Sequence, residues 1–348
     1  MNPKWIIGYV GHRDLNHVPE AELSRMTHIN IAFAHIQEGI IQTSHLQHMD
    51  RIPIIKKAFP DLRLILSVGG WSAGGFSEAA ATEQGRQKLA ESAVMAVITY
   101  GLDGIDLDWE YPCYGEAGIA ASAEDRVNFT LLLKTMRTAL TKQGEQDDRY
   151  YMLTIAAGAD QYYIDGTEMD QVQQYLDYVQ LMTYDMRGGF QVLTGHHTNL
   201  YTATGDLYRI STDASVRMFL KAGVPRNKIV IGAAFYSRMW KGVPDRNNGL
   251  HQVAETTGGY GPEYTELSEK YIDLNGYIRY WDDEAKAPYL FNGNTLISYD
   301  DPESVTAKCR YILEQDLAGL MFWEYKCDTS HELLRTMDDE LGAGRHVL

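Results

Sequence analysis

The chain has 348 residues, 45% of them hydrophobic and 22% charged, and a formal net charge of −16. These values describe a globular protein whose length allows roughly three quarters of its unfolded surface to be buried. The acidity disfavours nucleic acid or an anionic membrane as partner, because phosphate binding relies on Lys and Arg. Three cysteines, Cys113, Cys309 and Cys327, lack CxxC spacing and argue against a disulfide framework or a zinc site. No apolar run is long enough to span a bilayer, and the N-terminus has no signal-peptide layout. A cytoplasmic protein is expected from the sequence as written, or a secreted one whose signal has been removed. The 23 tyrosines and 6 tryptophans offer flat apolar faces with polar edges, which suit sugars.

Residues 5–10 form a β-type run. Residues 19–26 read as a short helix, 27–36 as a second strand and 49–59 as a helix. A third strand at 62–68 is closed by a glycine-rich segment from Gly69 to Gly75. Residues 76–100 read as one long helix, followed by a fourth strand rich in acids. Residues 123–141 read as a helix with Val127, Leu131, Leu132, Met136 and Leu140 as its apolar positions. A fifth strand at 151–157, a short helix at 168–175 and a sixth strand at 178–184 follow. Gly223 is placed to end a helix at 213–222. The seventh and eighth strands are 229–235 and 317–323, with helices at 302–315 and 331–341.

Strand and helix alternate eight times, which implies a parallel sheet closed as a (β/α)8 TIM barrel of the α/β class. Glu110, Tyr184, Asp185, Tyr236 and Trp323 then stand at the C-terminal ends of strands, the end where such barrels do chemistry. Residues 239–301 are too many for a structureless loop and carry β-like runs at 277–281, 289–291 and 296–298. A small α+β insertion walling the cleft is expected there, with the barrel comprising 1–238 and 302–348.

The stretch that organises this reading is Gly101-Leu-Asp-Gly-Ile-Asp-Leu-Asp-Trp-Glu-Tyr-Pro112. Asp106, Asp108 and Glu110 are spaced i, i+2, i+4. On a strand they share one face, and Ile105, Leu107 and Trp109 share the other. Asp103 is out of phase and falls at the strand's start. Like charges at this spacing repel, and burial adds to the cost, so at least one carboxyl pKa rises. A raised carboxyl pKa is what a general acid near neutral pH requires. A solvated edge strand would not need the apolar opposite face, and a calcium loop would need a Gly and further acids. Cys113 as a nucleophile, the Gly69–Gly75 run as a phosphate loop, and His45, His48, His196 and His197 as metal ligands are all weaker readings. No metal and no cofactor are expected.

The decapeptide D-G-I-D-L-D-W-E-Y-P resembles the DxxDxDxE signature of glycoside hydrolase family 18, the chitinases. I-G-Y-V, N-I-A-F-A, S-V-G-G-W, M-T-Y-D, A-F-Y-S-R and M-F-W-E-Y resemble that family's first, second, third, sixth, seventh and eighth strands. Y-W-D-D-E-A-K-A-P-Y-L-F resembles the insertion of the bacterial members that carry one. The resemblance implies Glu110 as proton donor, Asp108 as the acid that contacts the substrate acetamide, and Asp106 as the inner acid sharing a proton with Asp108. It implies that Tyr184 holds the acetamide carbonyl and that Trp323 floors the subsite of the distorted sugar. Tyr9, Phe33, Gly70, Trp71, Tyr111, Met182, Asp185, Tyr236 and Arg238 take cleft-lining positions. The implied reaction is hydrolysis of β-1,4 linkages in chitin or N-acetylglucosamine oligosaccharides by a monomer, with disaccharide as the main product. Two alternatives stay open: an endo-β-N-acetylglucosaminidase acting on N-glycans, and a non-catalytic chitin-binding lectin.

Overall fold

The computed structural model describes residues 4–342. The first eight strands in chain order are β1 (Trp5–Gly11), β2 (His28–Gln37), β3 (Ile40–Gln42), β4 (Arg63–Gly69), β5 (Gly104–Asp108), β6 (Met152–Gly158), β7 (Val179–Met182) and β8 (Ile229–Ala234). They are followed by β9 (Tyr236–Lys241), β10 (Gly259–Glu263), β11 (Ile278–Asp282), β12 (Ala287–Phe291), β13 (Thr295–Ser298) and β14 (Gly319–Trp323). The large sheet runs β1-β14-β8-β7-β6-β5-β4-β2, and a β1–β2 pairing closes it. Pairing is parallel from β1 through β2, β4 and β5 to β6, and again between β7 and β8. With helices between the strands, this is the expected (β/α)8 barrel. The short β3 was not anticipated; it folds back antiparallel on the end of β2.

The strands are nearly continuous apolar runs because both faces of a barrel sheet are covered. The described residues group into two compact units. One comprises Ile7–Leu181 and Met218–Val230, and the other holds the remainder.

Two helices differ from expectation. The stretch 76–100 is not one helix but two, Phe76–Ala80 and Glu83–Tyr100. Thr82 between them is extended, and its hydroxyl accepts the Gly85 N–H, so it caps a new helix. Gly101 then ends that helix in the left-handed conformation, at φ 67°. In the helix Asp125–Asp147, Phe129, Leu132, Leu133, Met136 and Leu140 are buried, whereas Val127 and Leu131 are exposed. The buried set steps by three and four residues along one face, and Val127 and Leu131 fall outside that stripe.

The helix Pro302–Gln315 coincides with the sequence reading. Asp301 and Ser304 form a reciprocal capping box, and Pro302 occupies the first turn.

A second sheet is antiparallel, in the order β10-β9-β13-β12-β11, and the helix Tyr264–Lys270 follows β10. Trp240, Val243, Leu250, Ala254, Tyr289, Phe291 and Leu296 form its core. Its first strand in the chain, β9, starts at Tyr236, and Tyr236 and Arg238 pair with β10.

Candidate active site

The acidic strand is shorter than its period suggested. β5 stops at Asp108, where pairing with β4 ends at Gly69, and Glu110 lies beyond it next to a cis Glu110–Tyr111 peptide. Asp106 and Asp108 therefore share the strand's alternation, whereas Glu110 is placed by the turn that follows. The opposite face packs as expected. Ile105, Leu107 and Trp109 are buried, and the Trp109 ring stacks on Phe76 at 5.3 Å and meets Phe129 edge-on at 5.5 Å. Asp103 precedes the strand and is structural. It pairs with Lys56 at 2.5 Å and Arg149 at 3.1 Å and accepts the Leu64 N–H.

Asp106 is fully buried at the centre of a polar belt inside the barrel. Its Oδ2 accepts from the Tyr9 hydroxyl at 2.9 Å and the Ser67 hydroxyl at 2.7 Å. Its Oδ1 accepts from Thr154 at 2.7 Å and Gln180 at 2.9 Å. Asn30 in turn donates to the Gln180 carbonyl oxygen at 2.9 Å. Register explains the convergence, since Ser67 and Thr154 are the β4 and β6 partners of Asp106. Burial pushes the Asp106 carboxyl up, and the four donors oppose that push.

Asp108 is buried as well but lacks such support. Its Oδ1 has no hydrogen-bond partner. Burial first, then the charges of Glu110 and Asp106, push its carboxyl well above the usual carboxylate range. Donors fill both oxygens of Asp106 and oppose its upward push, whereas every cause acting on the Asp108 carboxyl raises it. The Tyr111 hydroxyl is raised well above its ordinary value by burial, then by the charge of Glu110 and a hydrogen bond to it. The buried Tyr163 hydroxyl is raised by burial and by the charges of Asp108 and Asp106. Tyr111 and Tyr163 meet edge to face at 6.1 Å.

This arrangement has a stability consequence. The folded pKa of Asp108 lies above its unfolded value of 3.8, so stability falls as pH rises through the folded value. Asp108→Asn cannot ionise, and its melting temperature at neutral pH is expected to exceed that of the wild type. The advantage should vanish below about pH 4, where the carboxyl is protonated folded and unfolded. Melting curves from pH 3 to 8 test this, and a variant less stable at pH 7 than at pH 3, relative to wild type, would contradict it.

Gly69 and Gly70 seat β4 against the end of β5. Gly70 donates its N–H to the Asp108 carbonyl at 2.9 Å. A Cβ on Gly69, whose φ is 120°, would lie 2.1 Å from that carbonyl oxygen, and one on Gly70 would lie 2.8 Å from the Phe33 ring. Gly69→Ala is expected to destabilise the protein by roughly 3 kcal/mol or more, combining strain and overpacking. A melting temperature equal to wild type would refute that. Phe33 follows a cis Ala32–Phe33 peptide, in the interval where the β2–β4 register shifts, and its ring centroid is 6.4 Å from that of Tyr9. Trp71 follows the glycines with half its surface exposed.

In the other unit, Met182 ends β7, and Tyr184 and Asp185 follow it. The Tyr184 hydroxyl is 3.7 Å from Met321 Sδ, and its ring meets Tyr236 edge-on at 6.1 Å. Asp185 has a left-handed backbone, φ 55°, and takes two 2.6 Å bonds from Arg238 Nε and Nη2. Burial works to raise the Asp185 carboxyl, but the two hydrogen bonds and the charge of Arg238 hold it well below the usual range. The Arg238 guanidinium also lies 4.0 Å over the Tyr260 ring. Trp323 ends β14, before a cis Trp323–Glu324 peptide.

Sequence reading missed Ser67, Thr154, Gln180, Tyr163 and Tyr260. The signal for the first three was single polar residues inside otherwise apolar strands. The free Cys113 thiol is pushed up by burial, which opposes nucleophilic use. His45 Nε2 is 3.0 Å from the Phe33 carbonyl oxygen, and His196 Nε2 is 2.9 Å from Asp282. Among the described residues, no group of three or more His, Cys, Asp and Glu is arranged to hold a metal. No helix among them is long and apolar enough to cross a membrane.

Comparison with known proteins identifies the family. The family model "Glycosyl hydrolases family 18" matches residues 6–328. Chitinase A1 of Niallia circulans is 38% identical over 317 residues, covering 86% of this chain but 45% of its own length. The chain thus spans under half of that relative. Chitotriosidase-1 of Mus musculus is 31% identical over 339 residues, covering 90% of this chain and 72% of its own. Among solved structures, a glycoside hydrolase family 18 N-acetylglucosaminidase from Paenibacillus barengoltzii superposes with a TM-score of 0.97 at 66% identity, covering 97% of this chain and all of that one. A match that runs from β1 past β14 takes in every strand of the barrel and the whole acidic motif, so the chain belongs to glycosyl hydrolase family 18 and is a glycoside hydrolase.

Proposed function

We propose that this enzyme hydrolyses β-1,4 linkages between N-acetylglucosamine units of chitin or chito-oligosaccharides, with retention, by substrate-assisted catalysis. The observation that carries the proposal is a buried Asp108, its carboxyl pushed well above the usual range, between a fully hydrogen-bonded Asp106 and Glu110. The acetamide oxygen of the reacting sugar attacks its own anomeric carbon, and Glu110 gives a proton to the leaving glycosidic oxygen as that bond breaks. The product is an oxazolinium ion, and a carboxyl oxygen of Asp108 accepts a hydrogen bond from its N–H. Glu110 then takes a proton from the water that opens the ring. The nucleophile is already held by the substrate, which removes the entropic cost of bringing it in.

Tyr184 is assigned to the acetamide carbonyl, Trp323 to the floor under the reacting sugar, and Tyr9, Phe33, Gly70, Trp71, Tyr111, Met182, Asp185, Tyr236 and Arg238 to the rest of the cleft. Residues 239–301 are assigned to its wall.

The test is a time course on N-acetylglucosamine tetramer and cellotetraose, with products separated by size. Cleavage of the first alone is expected, since only it carries the acetamide. Efficient cleavage of cellotetraose would sink the mechanism. The 66% identity to an N-acetylglucosaminidase supports a second reading, in which single N-acetylglucosamine units leave a chain end. Dimer at the earliest times favours the first reading, and monomer favours the second.

A further inference from the structure

The dipeptide His196–His197 was left without a role by the sequence reading, and its two rings have different surroundings. His196 binds Asp282 of β11 and lies edge-on to Tyr289 of β12 at 5.7 Å. His197 is fully buried, with its ring 5.4 Å from that of Tyr236 and its Nδ1 3.4 Å from the Asp185 N–H. The His197 main chain is held on both sides. Its N–H donates to the Ser298 hydroxyl of β13 at 2.9 Å, and its carbonyl accepts the Met186 N–H at 3.1 Å. The second sheet therefore fixes the ring against the turn that carries Asp185.

We propose that His197 is a positioning residue for Asp185 and Tyr236, which rests on the reading of those two as substrate-facing. Asp185 adopts a left-handed backbone, φ 55°, that turns its N–H toward the His197 ring for support. Nδ1 of His197 supplies that support as an acceptor, which assigns the ring hydrogen to Nε2. Nε2 is buried with no hydrogen-bond partner among the described residues, so the ring's only directed polar contact is with Asp185.

Asp185, Arg238 and Asp300 are the charged groups that act on the ring. Burial pushes its pKa down, which favours the neutral ring. The same Nδ1 is 3.6 Å from Asp185 Oδ1. A neutral ring accepts the backbone N–H and leaves both carboxylate oxygens to Arg238. A protonated ring would instead compete with Arg238 for Oδ1.

The test compares His197→Leu, which fills the space without an acceptor, with His197→Asn, which keeps an acceptor near the position of Nδ1. On N-acetylglucosamine tetramer, kcat/KM is expected to fall about tenfold or more in His197→Leu and to recover to within about threefold of wild type in His197→Asn. Equal kcat/KM in wild type and His197→Leu, or an equal loss in both variants, would overturn the proposal. If the wild type cleaves no such oligomer, the proposed function fails instead. The crystal structure of His197→Leu then decides the positioning role. An unchanged Asp185 backbone with its Arg238 pair intact overturns it, and a displaced Asp185 supports it.

Discussion

Glu110→Gln is expected to lower hydrolysis of N-acetylglucosamine tetramer by about 10³-fold, within the range typical for loss of a general acid. The glutamine keeps the shape of the side chain but has no proton to give to the glycosidic oxygen and cannot accept one from water. Asp106 keeps its four donors, and Asp108 loses only the neighbouring charge of Glu110, so the hydrogen-bonded centre persists while proton transfer is removed. Substrate affinity should survive, because charge at Glu110 is not what holds the sugar. Single-turnover rates and equilibrium binding of the tetramer measure the two quantities separately. Residual activity within tenfold of wild type would remove Glu110 from the role of acid. Loss of binding together with rate would show that the substitution disturbed more than the proton.

The second large effect concerns stability. Lys308 and Asp300 form an ion pair at 2.5 Å with both side chains fully buried. Asp300 Oδ2 also accepts the Ala234 N–H at the end of β8 and lies 2.8 Å from the Thr198 hydroxyl, while Ser304 donates to Oδ1. Lys308 donates to Thr198 as well, at 2.6 Å. The pair ties the helix Pro302–Gln315 to β8 and to the segment after β7 that carries His197. Lys308→Met would leave a carboxylate buried without its cation, a change that typically costs about 3–5 kcal/mol. For a chain of this length that corresponds to a melting temperature lower by roughly 10 °C. The double variant Asp300→Asn with Lys308→Met removes both charges and should recover most of the loss. A Lys308→Met melting temperature within 2 °C of wild type would contradict the reading, as would a double variant as unstable as the single one.

What the sequence determined by itself was local. Runs of apolar residues marked the barrel strands, and alternation with period 2 placed Asp106 and Asp108 on one face of β5, with Ile105, Leu107 and Trp109 packed behind. The capping pair Asp301–Ser304 fixed the start of one helix to the residue. These features depend on neighbours within a few positions, and steric alternation and caps act at that range.

The tertiary structure decided the rest. Asp106 gathers its donors from 97, 39, 48 and 74 residues away, and which polar side chain faces it depends on barrel register. The end of β5 before Glu110 follows from where β4 stops pairing, and that boundary is set on another strand. The break at Thr82 was missed because the polar residues 82–88 also suit the exposed turns of one continuous helix, and only the extended, capping backbone of Thr82 interrupts it. Arg238 belongs to the second sheet because β9 finds β10 and β13, whose pairing partners for Arg238 are Tyr260 and Ser298. His197 looked like half of a metal pair in sequence. Its function as an acceptor for Asp185 exists only once Ser298 and Met186 hold it there, since hydrogen bonds between distant segments are specified by packing and not by spacing along the chain.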